Sequence, residues 1–488
     1  MKIISRILFL VCVLSMLLST VSCAAIYKGD KNSIDNTADA ESNGSYKPSA
    51  PGDSVAPDYG YTGDGSTYPG TPDYDDGFKG EIDEGGAIPP ATGDGLYGED
   101  SPEYAPDYPE GGGEDVVVPE PDQIVLPSGM ITAGAWVDND NYKMWLELFT
   151  KGQTEAGKFY EYIEQDNTWG FNSLKRVKVN VTCDGNAVAG ARVVASDEAG
   201  IPLFSAVSDA KGDAYIFTDA DNGNITVTSG EGSADASFTE DRREISVELS
   251  ARAEKLNVIE IMLVVDVTGS MGDEIRFLKA ELADVINKIA QNNEGAIIKL
   301  AMLFYRDTDD YEPFVYYDFT NVSEAGGLSL QQDALNKQFA SGGGDYPEAV
   351  DEALMMAVDK QWSTGATTKL IFHVLDAPAH EGAKYEEKFK NAVNSAAEKG
   401  IRICPILCSG AAELTEYTMR QAAIYTGGTF IFVTDDSGIG GSHHDPGLPN
   451  ATIELLNSLM VRLVNGYHTG EFAPAIYWKE DPGLNIKN

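Results

Sequence analysis

The stretch that decides the fold is Ile259-Glu260-Ile261-Met262-Leu263-Val264-Val265-Asp266-Val267-Thr268-Gly269-Ser270-Met271-Gly272. Its first seven residues are almost all apolar, and a polar turn then opens at Asp266 before an amphipathic segment. A short apolar run that leads into a helical pattern is typical of a strand buried on both faces of a parallel sheet. We therefore expect a strand over Ile259–Val265 and a helix over Asp273–Gln291, with the polar turn at the carboxyl end of the strand.

Downstream of this stretch, apolar runs keep alternating with helical patterns as far as Asn465. Further strands are predicted at Ile297–Tyr305, Phe314–Phe319, Lys369–Leu375, Ile401–Leu407 and Thr429–Val433. This alternation predicts an α/β domain with a doubly wound, mainly parallel sheet and helices on both faces. Ligands of such sheets bind outside the carboxyl ends of the strands, so polar residues at those ends are the candidates for function.

Residues 175–252 follow a different period. Apolar residues from Val177 to Cys183 alternate with polar ones, and further short strands are separated by Gly, Asp and Asn turns. This pattern predicts a small all-β sandwich before the α/β domain. The turn Asp184-Gly185-Asn186, followed by Ser208-Asp209-Ala210-Lys211-Gly212, resembles the carboxypeptidase regulatory-like domains, which implies a structural or adhesive module.

The amino terminus has the features of a secretory signal over residues 1–22. Two early positive charges precede an apolar run from Ile7 to Leu18, which is too short to span a bilayer comfortably. Val21-Ser22-Cys23 resembles the bacterial lipobox, which implies acylation of Cys23 and a lipid anchor in the membrane of the cell envelope. The alternative is an ordinary signal peptide that contains a cysteine.

Two segments connect the signal to the sandwich, and one follows the α/β domain. Residues 23–128 are rich in Gly, Pro, Asp, Glu, Ser and Tyr and lack arginine, a composition that predicts a disordered acidic tether. Apolar and aromatic residues return in 129–174, where we expect a short helical cap with helices at Lys143–Lys151 and Glu155–Gln165. Residues 467–488 are expected to form a C-terminal tail.

The net charge of −42 narrows the classes of partner. It argues against nucleic acid, which requires a basic surface, and against electrostatic adhesion to anionic lipid, whereas cations and basic partners are favoured. Cys404 and Cys408 are too far apart along one predicted strand to form a disulfide, and no Cys/His cluster has the spacing of a zinc site.

Oxygen-bearing side chains cluster at the predicted carboxyl ends of the strands. They are Asp266, Thr268 and Ser270 after the first strand, Asp345 in Gly342-Gly343-Gly344-Asp345-Tyr346-Pro347-Glu348, and Asp376 after the apolar run Leu370–Leu375. Mg²⁺ and Ca²⁺ prefer six or more oxygen ligands that include carboxylates, so this set predicts a divalent-metal site. The alternatives are a helix cap for Thr268 or Ser270 and a turn for Asp376.

These residues resemble the metal-ion-dependent adhesion site of von Willebrand factor A domains, and the resemblance covers about residues 256–466. That family holds one divalent cation with an Asp-x-Ser/Thr-x-Ser motif, a Thr from a second loop and an Asp after a later strand. The resemblance implies that Thr268 and Ser270 supply hydroxyl ligands, while Asp266 and Asp376 act mainly through bound water.

The second loop departs from the usual family pattern. Asp345 stands where a Thr is usual, and Ser341 is the fallback. Both segments are similar to a variant of the family. That variant has Gly-Gly-Gly-Asp-x-Pro-Glu in this loop and Asp-Ala-Pro-x-His after the later strand, where this chain has Asp376-Ala377-Pro378-Ala379-His380. In the adhesive members of the family, the cation takes a carboxylate from the partner. The additional aspartate disfavours such a carboxylate here.

The resemblance implies a lipoprotein of the cell envelope that binds a protein or other surface ligand through Mg²⁺ or Ca²⁺ and is not an enzyme. One alternative is an envelope assembly or chaperone factor whose domain docks on a membrane machine. Another is a metal-dependent hydrolase with His380 as the base. Further candidates are Arg306, Asp307, Asp309 and Asp310 as a rim of the site, and His443-His444-Asp445 as a transition-metal site.

Overall fold

The structure, a computed structural model, describes residues 130–151, 157–164, 169–365, 367–437, 442–448 and 450–484. All of them belong to one compact unit, Gly112–Asn488. The predicted signal, Cys23 and the predicted tether lie outside the described residues. Within these ranges, every helix is too short or too polar to cross a bilayer.

The described chain begins with a strand and two short helices, β1 (Thr132–Trp136), α1 (Tyr142–Glu147) and α2 (Glu161–Glu164). Both helices lie in the predicted helical regions but are shorter than expected. Trp145 of α1 and Phe159, just before α2, are completely buried. The Trp145 ring makes edge contacts with Phe149 and Phe159 at centroid distances of 5.1 and 6.0 Å.

Residues 176–249 form two four-stranded sheets that share one apolar core. The strands are β2 (Arg176–Cys183), β3 (Asn186–Ala187), β4 (Arg192–Ser196), β5 (Pro202–Val207), β6 (Asp213–Phe217), β7 (Gly223–Ser229), β8 (Gly232–Phe238) and β9 (Glu244–Leu249). One sheet contains β3, β2, β6 and β9, and the other has the order β5-β4-β7-β8. Alternate residues of β2 are buried, so the predicted sandwich is confirmed.

The α/β domain is built on an eight-stranded sheet with the order β12-β11-β10-β13-β14-β15-β1-β16. Its remaining strands are β10 (Val258–Asp266), β11 (Ile297–Tyr305), β12 (Phe314–Asn321), β13 (Thr368–Leu375), β14 (Ile401–Leu407), β15 (Phe430–Val433) and β16 (Ile453–Leu455). The five neighbouring strands β11, β10, β13, β14 and β15 are parallel to one another. Strands β12 and β1 pair antiparallel with their neighbours.

Helices cover both faces of this sheet. They are α3 (Gly272–Asn292), α4 (Gly327–Asn336), α5 (Val350–Val358), α6 (Ala383–Lys399), α7 (Glu413–Thr426) and α8 (Leu456–Thr469). Side chains of α3, α4 and α8 share one core with the sheet, and those of α5, α6 and α7 share the other. Strand β13 is buried along its whole length, as a central parallel strand should be. The predicted doubly wound, mainly parallel fold is confirmed.

Strand β1 corrects the prediction that 129–174 is a helical cap. It pairs antiparallel with both β15 and β16, with Gly134 opposite Phe432. A Cβ at Gly134 would lie 2.3 Å from the Phe432 ring, so only glycine fits there. Residues 453–455 form β16 because their backbone pairs with β1. The sandwich is therefore inserted in the chain between two strands of one sheet.

A buried ion pair joins the segment after β1 to α7. Arg420 donates from Nε and Nη2 to the two oxygens of Asp138 at 3.0 and 2.5 Å, and from Nη1 to Glu416 at 2.9 Å. The side chains of Arg420 and Asp138 are each 1% exposed. Lys158 Nζ reaches the second oxygen of Glu416 at 2.6 Å. Charges this deeply buried are tolerated only when they are paired and hydrogen-bonded.

Removal of the Asp138 charge should destabilise the whole protein. In Asp138→Asn, Arg420 stays buried and keeps Glu416 as its carboxylate partner but loses Asp138. We therefore expect a loss of about 3–5 kcal/mol in the free energy of unfolding. The measurement is guanidinium denaturation followed by tryptophan fluorescence. Asp221→Asn is the control, because the Lys175–Asp221 pair is exposed and solvent screens its attraction. Equal losses in the two variants would contradict the prediction.

Candidate metal centre

The sheet brings two of the predicted carboxylates together at the carboxyl ends of its central strands. Asp266 is the last residue of β10, and Asp376 follows the last residue of β13. The two strands are parallel neighbours with Val265 opposite Val374, so their carboxyl ends coincide. Both side chains are buried, at 0% and 4% exposure.

Asp266 has one satisfied and one unsatisfied carboxylate oxygen. Oδ1 accepts hydrogen bonds from the backbone N–H of Thr268 at 2.9 Å and from its hydroxyl at 2.7 Å. Oδ2 is buried and has no hydrogen-bond partner among the described residues. Burial raises the pKa of Asp266 to about 7. An unpartnered oxygen in such a place is costly, and a cation would remove that cost.

Asp376 is linked to the polar turn by Ser270. The exposed Ser270 hydroxyl hydrogen-bonds the Asp376 carboxylate, while burial raises the pKa of Asp376. The negative charge of Asp376 also raises the pKa of Asp266. The turn and the end of β13 therefore present two carboxylates and two hydroxyls close together.

The second loop places the two predicted alternatives differently. Asp345 is exposed and lines the same open pocket, of about 450 Å³, as Ser270 and Asp376. Ser341 is half-buried, and its backbone N–H donates to the Val267 carbonyl at 3.0 Å. Of the two, Asp345 thus lines the pocket, while Ser341 is fixed through its backbone beside the polar turn.

Glu348 is the site residue that the sequence reasoning missed. It is 4% exposed and also lines the pocket, and its Oε2 is buried without a partner among the described residues. Burial, followed by the charge of Asp266, raises the pKa of Glu348 to about 9. Its backbone N–H donates to the Pro378 carbonyl at 3.0 Å, which fixes the second loop against the chain after Asp376.

Gly343 explains how Thr268 and Glu348 come together. Its φ of +70° is favourable only for glycine, and an added Cβ would lie 2.6 Å from Glu348 Oε1 and 3.2 Å from Thr268 Cβ. The backbone of the second loop therefore passes between the two side chains. The Gly-Gly-Gly motif in the sequence indicates an unusual loop backbone. It does not reveal whether Asp345 or Glu348 turns into the protein.

The rim residues hold this loop in place. Arg306 donates from Nε to the Ser341 carbonyl at 2.9 Å, and Asp310 accepts from the Gly343 N–H at 2.8 Å. His380 Nε2 lies 2.8 Å from Asp307 Oδ1. Arg306 thus contacts two backbone carbonyls of the second loop.

The donor set suits a hard cation. In the described part of the chain, no group of three or more His, Cys, Asp or Glu side chains is placed to hold a metal ion. The arrangement here combines carboxylates with the hydroxyls of Thr268 and Ser270, and such oxygen donors fit Mg²⁺ or Ca²⁺. His443 and His444 contact different partners, Asp435 and Glu416, at 2.8 and 2.6 Å.

Comparison with known proteins identifies the domain. A family model described as von Willebrand factor A domain matches residues 260–435, so the resemblance inferred from the sequence is confirmed for this segment. The match does not extend to the sandwich, whose resemblance to carboxypeptidase regulatory-like domains stays a prediction. One curated relative, an ariadne-like RING finger protein of Acanthamoeba polyphaga mimivirus, is 25% identical over 222 residues, which cover 42% of this chain and 20% of that protein.

Solved structures show weaker likeness. BatB from Bacteroides thetaiotaomicron is 16% identical, with 36% of this chain and 90% of that chain covered and a TM-score of 0.28. The pilus adhesin SpaC from Lactobacillus rhamnosus GG is 11% identical, with 42% and 29% covered and a TM-score of 0.29. A von Willebrand factor type A protein from Catenulispora acidiphila is 12% identical, with 58% and 51% covered and a TM-score of 0.27. These TM-scores are low, so the domain assignment rests on the family model.

The close approach at Gly343 gives a sharp test of the loop geometry. Gly343→Ala introduces a methyl group against Glu348 at a positive φ and should cost about 1–3 kcal/mol of unfolding free energy. Gly344→Ala should change it by less than about 0.5 kcal/mol, because a Cβ there meets nothing within 4 Å. Guanidinium denaturation measures both. If the two variants are equally stable, the loop does not pass between Thr268 and Glu348.

Proposed function

Because residues 260–435 form a von Willebrand factor A domain, we propose that this protein is a non-catalytic binding protein of the cell envelope. It captures a protein partner through a divalent cation at the carboxyl ends of the central strands. The observation that carries the proposal is the pair of buried carboxylate oxygens without partners, Asp266 Oδ2 and Glu348 Oε2. A buried polar oxygen without a partner is costly, and it is kept where a ligand satisfies it.

Asp266, Thr268, Ser270 and Asp376 would hold the cation. Glu348 would turn toward it as a further carboxylate, with Asp345 at the open side. A bound Mg²⁺ or Ca²⁺ would supply positive charge to these carboxylates and accept an oxygen atom from the partner. The burial of Glu348 supports its assignment as a ligand over the exposed Asp345. Thr268 and Ser270 orient the carboxylates of Asp266 and Asp376 through their hydrogen bonds.

Exposed aromatic rings beside the site support a protein partner. Tyr311, Phe339 and Tyr346 are 88%, 66% and 46% exposed. They lie on the two loops that Arg306 and Asp310 join, since Arg306 also donates to the Phe339 carbonyl at 3.3 Å. Aromatic side chains are enriched at the centres of protein interfaces. The rings and the candidate cation site would form one contact surface.

The proposed location rests on the amino-terminal sequence. The lipobox resemblance at Cys23 implies a lipid anchor, and residues 23–128 would separate that anchor from the binding domain. The assembly or chaperone alternative uses the same surface with a membrane machine as the partner.

A hydrolase is the second candidate, because His380 is hydrogen-bonded to Asp307 at the rim. A carboxylate orients a general base in this way. His380→Gln separates the two functions, since it should abolish hydrolysis but leave cation-dependent binding unchanged.

Cation binding distinguishes Glu348 from Asp345. Glu348→Gln should weaken the binding of Mg²⁺ or Ca²⁺ by at least about tenfold, because it removes a direct oxygen ligand and its charge. Asp345→Asn removes the same charge from an exposed position, where solvent screens it, and should weaken binding by less than about threefold. Isothermal titration calorimetry on the purified protein measures both variants. A larger effect of Asp345→Asn would make Asp345 the ligand, and no binding to the parent protein would remove the metal site altogether.

Partner capture should depend on the cation. We expect a protein from an envelope extract to bind the immobilised chain in Mg²⁺ or Ca²⁺, and to be lost after chelation and in Asp266→Asn. Asp284→Asn is the control, because it removes the same charge from the exposed Asp284–Lys288 pair on α3. Capture that resists chelation, or that both variants lose equally, would contradict a metal-dependent mechanism. Recovery of the partner in cleaved form would support the hydrolase.

A further inference from the structure

A second group of charged side chains lines a small cavity between the sandwich and the α/β domain. The sandwich contributes the loop after β5, with Ser208, Asp209 and Ala210, and the α/β domain contributes the starts of β13 and β14. Four cationic side chains line the cavity, namely Lys255, Lys369, Lys399 and Arg402. In a chain with a net charge of −42, such a concentration of positive charge needs an explanation.

Three of these cations have no carboxylate partner within ion-pair distance among the described residues. Lys255 Nζ donates to the His468 carbonyl, Lys369 Nζ to the Lys399 carbonyl at 3.0 Å, and Arg402 Nη1 to the Gly400 carbonyl at 3.4 Å. Arg402 Nε is buried and has no partner in the described structure. Only Lys399 has an acidic partner, Asp359 at 3.0 Å.

Burial makes the charges of Lys369 and Arg402 costly, because each side chain is only 7% exposed. Lys255 is more exposed and lies beside them. Burial lowers the pKa of Lys369, the carboxylate of Glu260 raises it, and the charge of Arg402 lowers it. Burial and the charge of Arg402 also lower the pKa of Lys255. Asp209 is the acid that lines the cavity. Its Oδ1 accepts hydrogen bonds from the backbone N–H groups of Lys211 and Asp213 at 2.8 and 2.9 Å, and its charge is attracted to Arg402 beyond ion-pair distance.

Helix ends account for part of this positive charge. The carbonyls that accept from the three cations belong to the carboxyl ends of α6 and α8, where each helix dipole presents about half a negative charge. Two helix ends therefore offset about one of the three positive charges, and the nearby carboxylates of Asp209 and Glu260 offset part of the rest. Each lysine ammonium has three N–H donors and uses one here. Donors and positive charge remain after the helix ends are capped.

We propose that this cavity binds one small inorganic anion of the size of chloride. Arg402 and Lys369 from the α/β domain and Lys255 from the connection after the sandwich would supply the positive charge. The cavity leaves about 20 Å³ open to the centre of a water-sized sphere, which is enough for one such particle. Phosphate and sulfate are larger and would require the walls to move. The bound anion would join the sandwich to the α/β domain.

The test compares thermal unfolding in sodium chloride and in sodium gluconate at equal ionic strength. Chloride that binds only the folded protein should raise Tm progressively with its concentration, and bromide should do the same. Gluconate is too large for the cavity and should not. The same Tm in chloride and in gluconate would overturn the proposal.

Two variants separate anion binding from helix capping. Arg402→Gln and Lys369→Met should each lose the difference in Tm between chloride and gluconate, whereas Lys288→Gln, on the exposed surface of α3, should keep it. If the cations only cap helix ends, the first two variants will lower Tm equally in both salts and keep the chloride difference, which overturns the proposal. If either variant fails to fold, chloride NMR relaxation on the parent protein tests the proposal instead. Bound chloride should broaden the chloride signal and bromide should reverse the broadening, whereas no broadening overturns the proposal.

Discussion

The rest of the structure depends on the pairing of β1 with both β15 and β16. Buried backbone groups must find hydrogen-bond partners, and β1 supplies them to the strands on either side. It does so from a position before the sandwich, whereas β10 follows the sandwich. Both ends of the sandwich are therefore fixed to one sheet. A fragment that starts at Leu256 would leave β16 and the β1-facing side of β15 unpaired. The Asp138–Arg420 pair adds a second connection directly after β1.

The α/β domain is electrically polarised along its strands. At one edge, the carboxyl ends of the central strands meet the amino ends of helices such as α3, and the carboxylates of Asp266 and Asp376 lie there. At the opposite edge, the helices α6 and α8 end, and Lys369 and Lys255 donate to their last carbonyls. Helix dipoles favour this distribution of charge at both edges. The candidate cation site and the cationic cavity thus follow from one feature of the fold.

Local sequence patterns predicted the parts of the site that lie at the ends of strands. Asp266 and Asp376 follow long apolar runs, and the order of such strands in a doubly wound sheet brings their ends together. The burial of Glu348 could not be predicted, because it depends on a backbone contact with Pro378. Strand β1 is too short, and too rich in Ala and Gly, to show alternation, and its partners lie about 300 residues later. The Asp138–Arg420 pair, separated by 282 residues, has no local signal either.

The charges around the site bear on the chemistry of the partner. A divalent cation would carry two positive charges against three negative charges if its binding ionised Asp266, Glu348 and Asp376, and Asp345 would add another at the exposed mouth. Like charges a few ångströms apart repel, so an acidic side chain from the partner is disfavoured here. A neutral carbonyl, amide or hydroxyl oxygen meets no such repulsion. Basic side chains are attracted to the acidic rim and to the faces of exposed rings such as Tyr311. We therefore infer a partner that offers a neutral oxygen to the cation and basic groups to the surrounding loops.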